Sequence, residues 1–314
     1  MQDALRKMST RVVELNSKAR RLTAGDVVSR KTAGYVFVLP ALALYGFFVL
    51  YAFANSIYYS LVSWDGAQPV KDYIGLTNYS ILLRDPLLWQ ALYHNVIWVI
   101  LGTVSPIAIG LLLGVLLWHG VRGMTLFRTV FFMPVVLSGV VIAMIWNWIY
   151  HPLFGALNQL LRFVGLASLT RGWLGDMTWA LPALIVAAIW SYYGFCFVVI
   201  MAGLQNVDRE LIDAAMIDGA NFWQRFTHVV LPQLRHVLTM ITAYTLIGGF
   251  NVFDMVFVMT QGGPGTATQV IATYTYRKAF QESAVGYGAA LAMIMTIISL
   301  ITSYAFIAIR ERGE

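Results

Sequence analysis

Six long apolar runs constrain this chain more than any other feature of its sequence. Each run exceeds the roughly 20 mostly apolar residues that a helix needs to cross the hydrocarbon core of a bilayer. Backbone groups in lipid have no water to bond, so runs of this length predict membrane-spanning helices rather than the short alternating strands of a β-barrel. The predicted spans are residues 33–60, 91–118, 127–150, 180–205, 237–260 and 285–309.

The composition agrees with an all-α integral membrane protein. Charged residues make up 11% of the chain, against roughly 25% in soluble domains, so most of the surface must face lipid. No polar linker divides the chain, which predicts one transmembrane domain over residues 32–310. Residues 1–31 form a basic tail that lacks the layout of a secretory signal and is expected to stay in the cytoplasm. Residues 311–314 form a short cytoplasmic C-terminus.

The distribution of lysine and arginine predicts the orientation. With six spans, the two termini share a side with loops 119–126 and 206–236. That side carries fifteen of the 21 lysine and arginine residues, and the other side carries six. The excess of basic residues on cytoplasmic loops therefore places both termini in the cytoplasm.

Proline and glycine residues lie inside several spans. Pro40, Pro106 and Pro134 are tolerated there where neighbouring helices satisfy the freed carbonyls. Gly110 and Gly114 form a pair of small residues four apart. Either they allow another helix to approach closely, or they are simply common membrane glycines.

The sequence offers little catalytic or ion-coupling chemistry. The ionisable residues singled out within the spans are Asp254 and His94, both assigned to the outer ends of their spans. There is no GxxxxGK[ST] phosphate loop and no HExxH metal motif, and Cys196 is the single cysteine. We therefore expect no metal, no cofactor and no catalytic residue in this chain, and interpret it as a conduit driven by another subunit.

The cytoplasmic loop 206–236 predicts a helix, a turn and a second helix outside the bilayer. Asn206 or Asp208 caps the first helix, which runs through Leu211 and Ala215. Asp218-Gly219 ends it, because glycine adopts the left-handed conformation at a helix end without penalty.

The second helix is amphipathic and runs from Asn221 to Val230. Pro232 is expected to end it by moving Leu231 out of the helical region. The small residues at the elbow allow a partner's surface to come close. An ordinary pair of helices lying at the membrane interface is the alternative.

Parts of this loop resemble a known signature. Asp213-Ala214-Ala215, Asp218-Gly219-Ala220 and Leu231-Pro232 are similar to the coupling loop of ABC importer permeases, the "EAA" motif. The resemblance implies that these eight residues dock onto an ATP-hydrolysing subunit, with Gly219 at the tight contact. Asp213 stands where glutamate is commoner in the family, so a salt bridge there is altered while the loop's fold is kept.

Other stretches resemble the carbohydrate-uptake group within that family, in the form of its first permease. They cover roughly residues 30–310 and include Arg128–Pro134, His151–Asn158, Trp173-Leu174, Phe253-Asp254, Thr260–Gly265, Thr273–Arg277 and Ala279-Phe280. The resemblance implies the type I permease fold in a bacterial plasma membrane and import of a di- or oligosaccharide or glycerol phosphate. It also implies a second permease, two ATPase subunits that bind ATP and magnesium, and an extracytoplasmic solute-binding protein.

The solute pocket in these relatives is built from the fourth and fifth spans. Sugar sites place aromatic faces and a few amide or hydroxyl groups in an apolar pocket. The candidate residues here are Trp190, Tyr192, Phe195, Tyr244, Asn251 and Asp254. Each aromatic side chain has a plainer interpretation as helix packing. Asp254 either pairs with a basic residue of a partner subunit or, less favoured, lies in the solute path.

Two further interpretations remain open. Gly262-Gly263-Pro264-Gly265 is either a turn that reverses the chain or part of the surface that meets a binding protein. As a whole, the chain is predicted to work by alternating access, with the 206–232 elbow transmitting the movement of the ATPases. The alternatives are a permease for amino acids or phosphate, an ion-coupled carrier, and a membrane-bound enzyme.

Overall fold

The computed structural model describes residues 35, 37–118 and 122–311. The predicted tail 1–31 lies outside this range, as do residues 312–314 at the C-terminus. The chain divides into two units, residues 1–58 and 59–314. The described part of the first unit is helical, and its large apolar side chains are exposed.

The fold is almost entirely helical. The only strands in the described ranges are β1 (Val62–Ser63) and β2 (Asp72–Tyr73), which pair antiparallel with Val62 opposite Tyr73. The helices, in chain order, are α1 (Phe37–Ser60), α2 (Thr77–Leu82), α3 (Pro86–Leu117), α4 (Met124–Val136), α5 (Gly139–Ile149), α6 (Ala156–Phe163), α7 (Ala180–Gln205), α8 (Arg209–Ile217), α9 (Phe222–Arg225), α10 (Arg235–Phe250), α11 (Asp254–Met259), α12 (Ile271–Tyr276) and α13 (Val285–Glu311).

Four described helices are long and apolar enough to cross a membrane, namely α1, α3, α7 and α13. The run predicted as one span over 127–150 is instead the bent pair α4 and α5, whose axes differ by 99°. Leu137 at the bend is extended, and the Ser138 hydroxyl accepts a hydrogen bond from the Val141 N–H, which starts a new helix. The apolar run 127–150 is therefore two helices joined at a sharp bend, and not one continuous helix.

The span predicted over 237–260 is also interrupted. Helix α10 ends at Phe250, and α11 begins at Asp254. Glycine at 248 and 249 weakens the helix, and the Asn251 amide donates back to the Ile247 carbonyl at 3.0 Å. The apolar run conceals this break, because hydropathy does not register local hydrogen bonding. Irregular backbone at membrane depth is tolerated where it lines a cavity.

Helices α3 and α7 pack through small residues. A Cβ added at Gly110 would lie 2.7 Å from the Phe197 nitrogen, and one at Gly114 would lie 3.2 Å from an Ile200 methyl. Pairs of small residues allow such close approach of two backbones. Of the two interpretations left open for Gly110 and Gly114, the structure shows the close approach of a neighbouring helix.

The Gly-Gly-Pro-Gly stretch forms a turn fastened to α3. Gly262 and Gly265 have positive φ angles of 90° and 59°, a conformation that favours glycine. Nearby, His94 Nδ1 donates to the Gln269 carbonyl at 2.8 Å, and the Asn95 amide oxygen accepts from the Ile271 N–H at 2.9 Å. Both α3 side chains are buried, so His94 has a structural role in holding this turn.

Asp85 joins three segments at the start of α3. Its carboxylate accepts hydrogen bonds from the Leu87 N–H at 2.9 Å, the Tyr287 hydroxyl at 2.7 Å and the Tyr274 hydroxyl. Partial burial acts to raise the pKa of Asp85, but these hydrogen bonds and the charge of Lys278 outweigh it and hold the pKa below its ordinary value of 3.8.

A lowered pKa predicts loss of stability in acid. The ionised Asp85 stabilises the fold fully above its unfolded pKa, and this contribution is lost as the pH falls through the lower folded value. We expect the melting temperature in detergent to fall between about pH 5 and pH 3, and to fall less in Asp85→Asn, since asparagine still caps the helix. Asp72→Asn, at an exposed carboxylate in β2, is the matched control. Equal acid sensitivity in all three proteins would contradict the prediction.

Candidate functional site

A cavity of about 340 Å³ lies where the two interrupted helices meet α3 and α7. It is bordered by the middle of α3, by the bend between α4 and α5, by the middle of α7, and by the break between α10 and α11. The lining residues are Trp98, Gly102, Val135, Leu137, Gly139, Ile142, Ala188, Ser191, Tyr192, Phe195, Tyr244, Thr245, Gly248, Gly249, Asn251, Val252, Phe253, Asp254 and Met255.

Five of the six side chains predicted for the solute path line this cavity: Tyr192, Phe195, Tyr244, Asn251 and Asp254. The Phe195 and Tyr244 rings lie 5.1 Å apart between centroids, on facing helices. Trp190 is the exception. Its ring packs edge-on against Trp146 at 5.9 Å and joins an apolar core cluster, so helix packing is the role that its contacts show.

The cavity has few polar groups, and some of them already make hydrogen bonds within their own helices. The hydroxyls of Ser191 and Thr245 donate to backbone carbonyls one turn back, at 2.7 and 2.9 Å. Their oxygens keep lone pairs that accept further hydrogen bonds. The Asn251 amide oxygen and the exposed phenols of Tyr192 and Tyr244 add to this set. The cavity thus combines aromatic faces with scattered hydrogen-bonding groups, the arrangement that suits a polyhydroxylated solute.

Asp254 lies deeper than its sequence position implies. It was expected near the outer end of a span, but it lines the same cavity as the residues halfway along α3 and α7. Its carboxylate is exposed to the cavity, at the first turn of α11. The break after Phe250 produces this change, because a continuous helix would carry residue 254 a full turn beyond Phe250.

Sequence reasoning missed several lining residues. Trp98 belongs to α3, a span that no motif connected to the solute path. Ser191 and Thr245 are small hydroxyl residues of a kind common in membrane helices. The sequence signal that could have indicated the cavity is the pair Gly248-Gly249. These glycines weaken the end of α10, and Gly248 leaves open space at the cavity wall. A Cβ added at Gly248 would meet no atom within 4 Å.

The segment from Asp208 to Gln233 forms two short helices joined by a sharp turn. Asp208, one of the two predicted caps, accepts from the Glu210 N–H at 2.9 Å. At the other end of α8, the Ala220 N–H donates to the Ala215 carbonyl at 2.9 Å and the Gly219 N–H to the Met216 carbonyl at 3.1 Å. This is the Schellman pattern, and Gly219 has the positive φ of 80° that it requires.

The second helix starts as predicted and ends differently. Asn221 and Gln224 form a reciprocal capping box at the start of α9. The helix continues through a π-helical turn (Phe226–Val230) and one further piece (Leu231–Gln233). Leu231 is helical, so the prediction that Pro232 displaces it is wrong. The wider π turn immediately before makes room for the proline ring.

This helical pair presents an exposed surface. Of the residues in the EAA-like signature, Asp213, Ala214, Asp218, Gly219 and Pro232 are exposed, and the others are half-buried. Large apolar side chains beside them are also exposed, among them Ile217 at 88% and Trp223 at 69%. A second cavity of about 440 Å³ lies between α8, α9 and the end of α3. Large exposed apolar side chains close together in the chain are typical of a contact site for another protein or for the membrane.

The profile of the family described as "binding-protein-dependent transport system inner membrane component" matches residues 106–312. The chain belongs to this family. The match spans α4 to α13, and therefore includes the helical pair 208–233 and most of the cavity. The expected resemblance to ABC importer permeases is confirmed, and the chain is an inner-membrane transport component.

Relatives of similar length extend the comparison to nearly the whole chain. It is 38% identical over 279 residues to the probable ABC transporter permease protein YurN of Bacillus subtilis, covering 88% of this chain and 95% of YurN. It is 33% identical to the lactose transport system permease protein LacF of Rhizobium radiobacter, covering 89% and 94%. It is 30% identical to the multiple sugar-binding transport system permease protein MsmF of Streptococcus mutans, covering 91% and 98%.

The fold also has a solved counterpart. A chain of a bacterial ABC transporter involved in import of the acidic polysaccharide alginate superposes with a TM-score of 0.77 at 22% identity, covering 91% of this chain and 98% of that one. This similarity establishes the type I importer permease fold.

Proposed function

We propose that this chain forms half of the translocation pathway for a sugar-like solute and is driven by a separate ATPase. The observation that carries the proposal is the cavity at the middle of α3 and α7, with its facing aromatic rings and its hydroxyl and amide oxygens. Relatives with names such as lactose permease and multiple sugar permease support the same class of solute.

The proposed topology has six membrane crossings with both termini in the cytoplasm. The bent pair α4–α5 then makes the third crossing, and α10 with α11 makes the fifth. The excess of basic residues on one side supports this orientation. Residues 32–310 form the membrane domain in this arrangement.

Coupling is proposed to run through the segment 206–232. It directly joins the end of α7 to the start of α10, two helices that line the cavity. A partner that holds Asp213–Ala215, Asp218–Ala220 and Leu231-Pro232 therefore moves cavity walls when it changes shape. ATP must favour one of two states for this to drive transport.

The proposed complex contains a second permease, two ATPase subunits that bind ATP and magnesium, and an extracytoplasmic binding protein. One permease leaves the cavity open on one side, with Tyr244 exposed by 56% and Tyr192 by 42%. In the proposed complex, the second permease packs over that open side of the cavity. No residue of this chain is assigned a catalytic role.

The test blocks the cavity and measures uptake. In proteoliposomes that hold the assembled complex with ATP enclosed and the binding protein outside, ATP-dependent uptake of radiolabelled lactose, raffinose and maltotriose is compared between variants. Gly248→Trp is expected to abolish uptake of the transported sugar, because its side chain enters open space in the cavity. Gly172→Trp, at an outer-loop glycine that is equally free of neighbours, is expected to transport normally. Normal uptake by Gly248→Trp would place the solute path elsewhere.

A further inference from the structure

Only one of the described residues that line the solute cavity carries a formal charge. Asp254 is its only acidic residue, and no lysine, arginine or histidine appears among the described residues that line it. The other polar groups are neutral hydroxyls, phenols and one amide. Tyr192 and Asp254 line the same cavity, so the carboxylate acts on the same space as the aromatic residues.

Asp254 lies beside the start of α5. Its Oδ2 atom lies 3.3 Å from the position of a Cβ added at Gly139, the first residue of α5. It also belongs to the first turn of α11. Helix N-termini carry a partial positive charge that favours a nearby anion. The start of α5, which the Ser138 hydroxyl caps, therefore has a carboxylate of the protein itself beside it.

The charge matters because the surroundings are largely apolar. Two unit charges interact more strongly at the low effective dielectric of a protein interior than in water. A uronate or phosphate group entering the cavity meets repulsion from Asp254 and no basic side chain of this chain that offsets it. An uncharged sugar meets no repulsion, and its hydroxyls donate hydrogen bonds to the carboxylate.

We propose that the Asp254 carboxylate makes this pathway reject anions, so that the transported solute is an uncharged carbohydrate rather than an acidic sugar or a sugar phosphate. The proposal rests on the function proposed above and narrows its solute class. It excludes the glycerol-phosphate class. It also separates this chain from its structural counterpart, the transporter involved in import of an acidic polysaccharide.

The test measures the electrostatic preference of the cavity with charged thiol reagents. Cys196 is the only cysteine and is buried, so Cys196→Ala provides a thiol-free background. Gly248→Cys then places one thiol in open space at the cavity wall. The assembled complex in neutral detergent is reacted with two methanethiosulfonates of equal size, one bearing trimethylammonium and one bearing sulfonate. The ratio of the two rates is divided by the same ratio for free cysteine.

The expected result is a clear preference for the cationic reagent that depends on Asp254. Asp254→Asn should lower the corrected rate ratio by about tenfold at low salt. Asn251→Asp, which adds a second carboxylate beside the first, should raise it. Asp72→Asn makes the same charge change at an exposed strand residue that is far from Asp254 in the sequence. It should leave the ratio unchanged. With Asn251→Cys as the reporter thiol instead, Asp254→Asn should again lower the ratio and Asp72→Asn should again leave it unchanged.

A ratio that is unaffected by Asp254→Asn at both reporter positions would overturn the proposal. It would mean that another subunit neutralises the carboxylate. This outcome is independent of the uptake assay. Normal sugar uptake by Gly248→Trp would contradict the proposed solute path and would leave the measured charge preference unaffected. The absence of a charge preference would contradict the proposed solute class and would leave the solute path unaffected.

Discussion

Replacing Gly219 by tryptophan is expected to reduce ATP-dependent uptake by about tenfold or more while the membrane helices stay folded. Gly219 has a positive φ of 80°, which strains any residue with a side chain by roughly 1–2 kcal/mol. Within this chain a Cβ at this position meets nothing within 4 Å. The added side chain therefore clashes mainly with a partner protein that docks on the exposed turn between α8 and α9. Uptake and co-purification of the ATPase are measured together.

The matched control for this variant is Gly165→Trp. Gly165 has a similar φ of 81° and no neighbour within 4 Å, but it lies in the loop after α6 and not in the 206–232 segment. Backbone strain is thus the same in both proteins, and only the docking position differs. We expect Gly165→Trp to keep both uptake and the bound ATPase. Equal losses in the two variants would assign the effect to strain, and normal coupling in Gly219→Trp would remove the 206–232 segment from the coupling path.

Replacing Gly194 by alanine is expected to produce the largest loss of stability of any small substitution in the helices. A Cβ at Gly194 would lie 1.9 Å from the Phe131 carbonyl oxygen, so α4 and α7 must separate. Overpacking of this kind destabilises by about 1–3 kcal/mol, and more where backbone has to move. The melting temperature of the purified chain in mild detergent is the measurement, with the yield of monodisperse protein as a second readout.

Gly102→Ala is the control for the helix-packing prediction. Its Cβ would meet only the Trp98 ring, at the ordinary contact distance of 3.6 Å. Alanine also favours a helix over glycine by up to about 1 kcal/mol. Its melting temperature should therefore equal or exceed that of the parent protein. If Gly194→Ala melts at the parent temperature as well, the close approach of α4 and α7 is looser than the structure shows.

The sequence predicts well those features that depend on local patterns. Helix α8 begins at the predicted cap Asp208 and ends at the predicted Asp218-Gly219 turn, since capping and left-handed glycine are matters of neighbouring residues. The spans at α1, α3, α7 and α13 follow from hydropathy for the same reason. The pair Gly110 and Gly114 was also found, because small residues four apart share one helix face.

Five of the six residues predicted for the solute path line one cavity, and the exception is informative. Tyr192 and Trp190 are two positions apart on α7, so they point to different sides of one helix. The residues alone do not tell which side faces the cavity and which side packs on Trp146. The packing of α5 against α7 decides it.

Hydropathy, caps and turns act over a few residues, so the sequence alone predicts a helical membrane protein with a helix–turn–helix pair between its fourth and fifth apolar runs. The position of the cavity, in contrast, depends on the tertiary structure. The breaks at 137–138 and 251–253 lie within apolar runs that look continuous, and they bring Asp254 beside Gly139. That position depends on the packing of helices remote in sequence, and it is what gives the cavity its single negative charge.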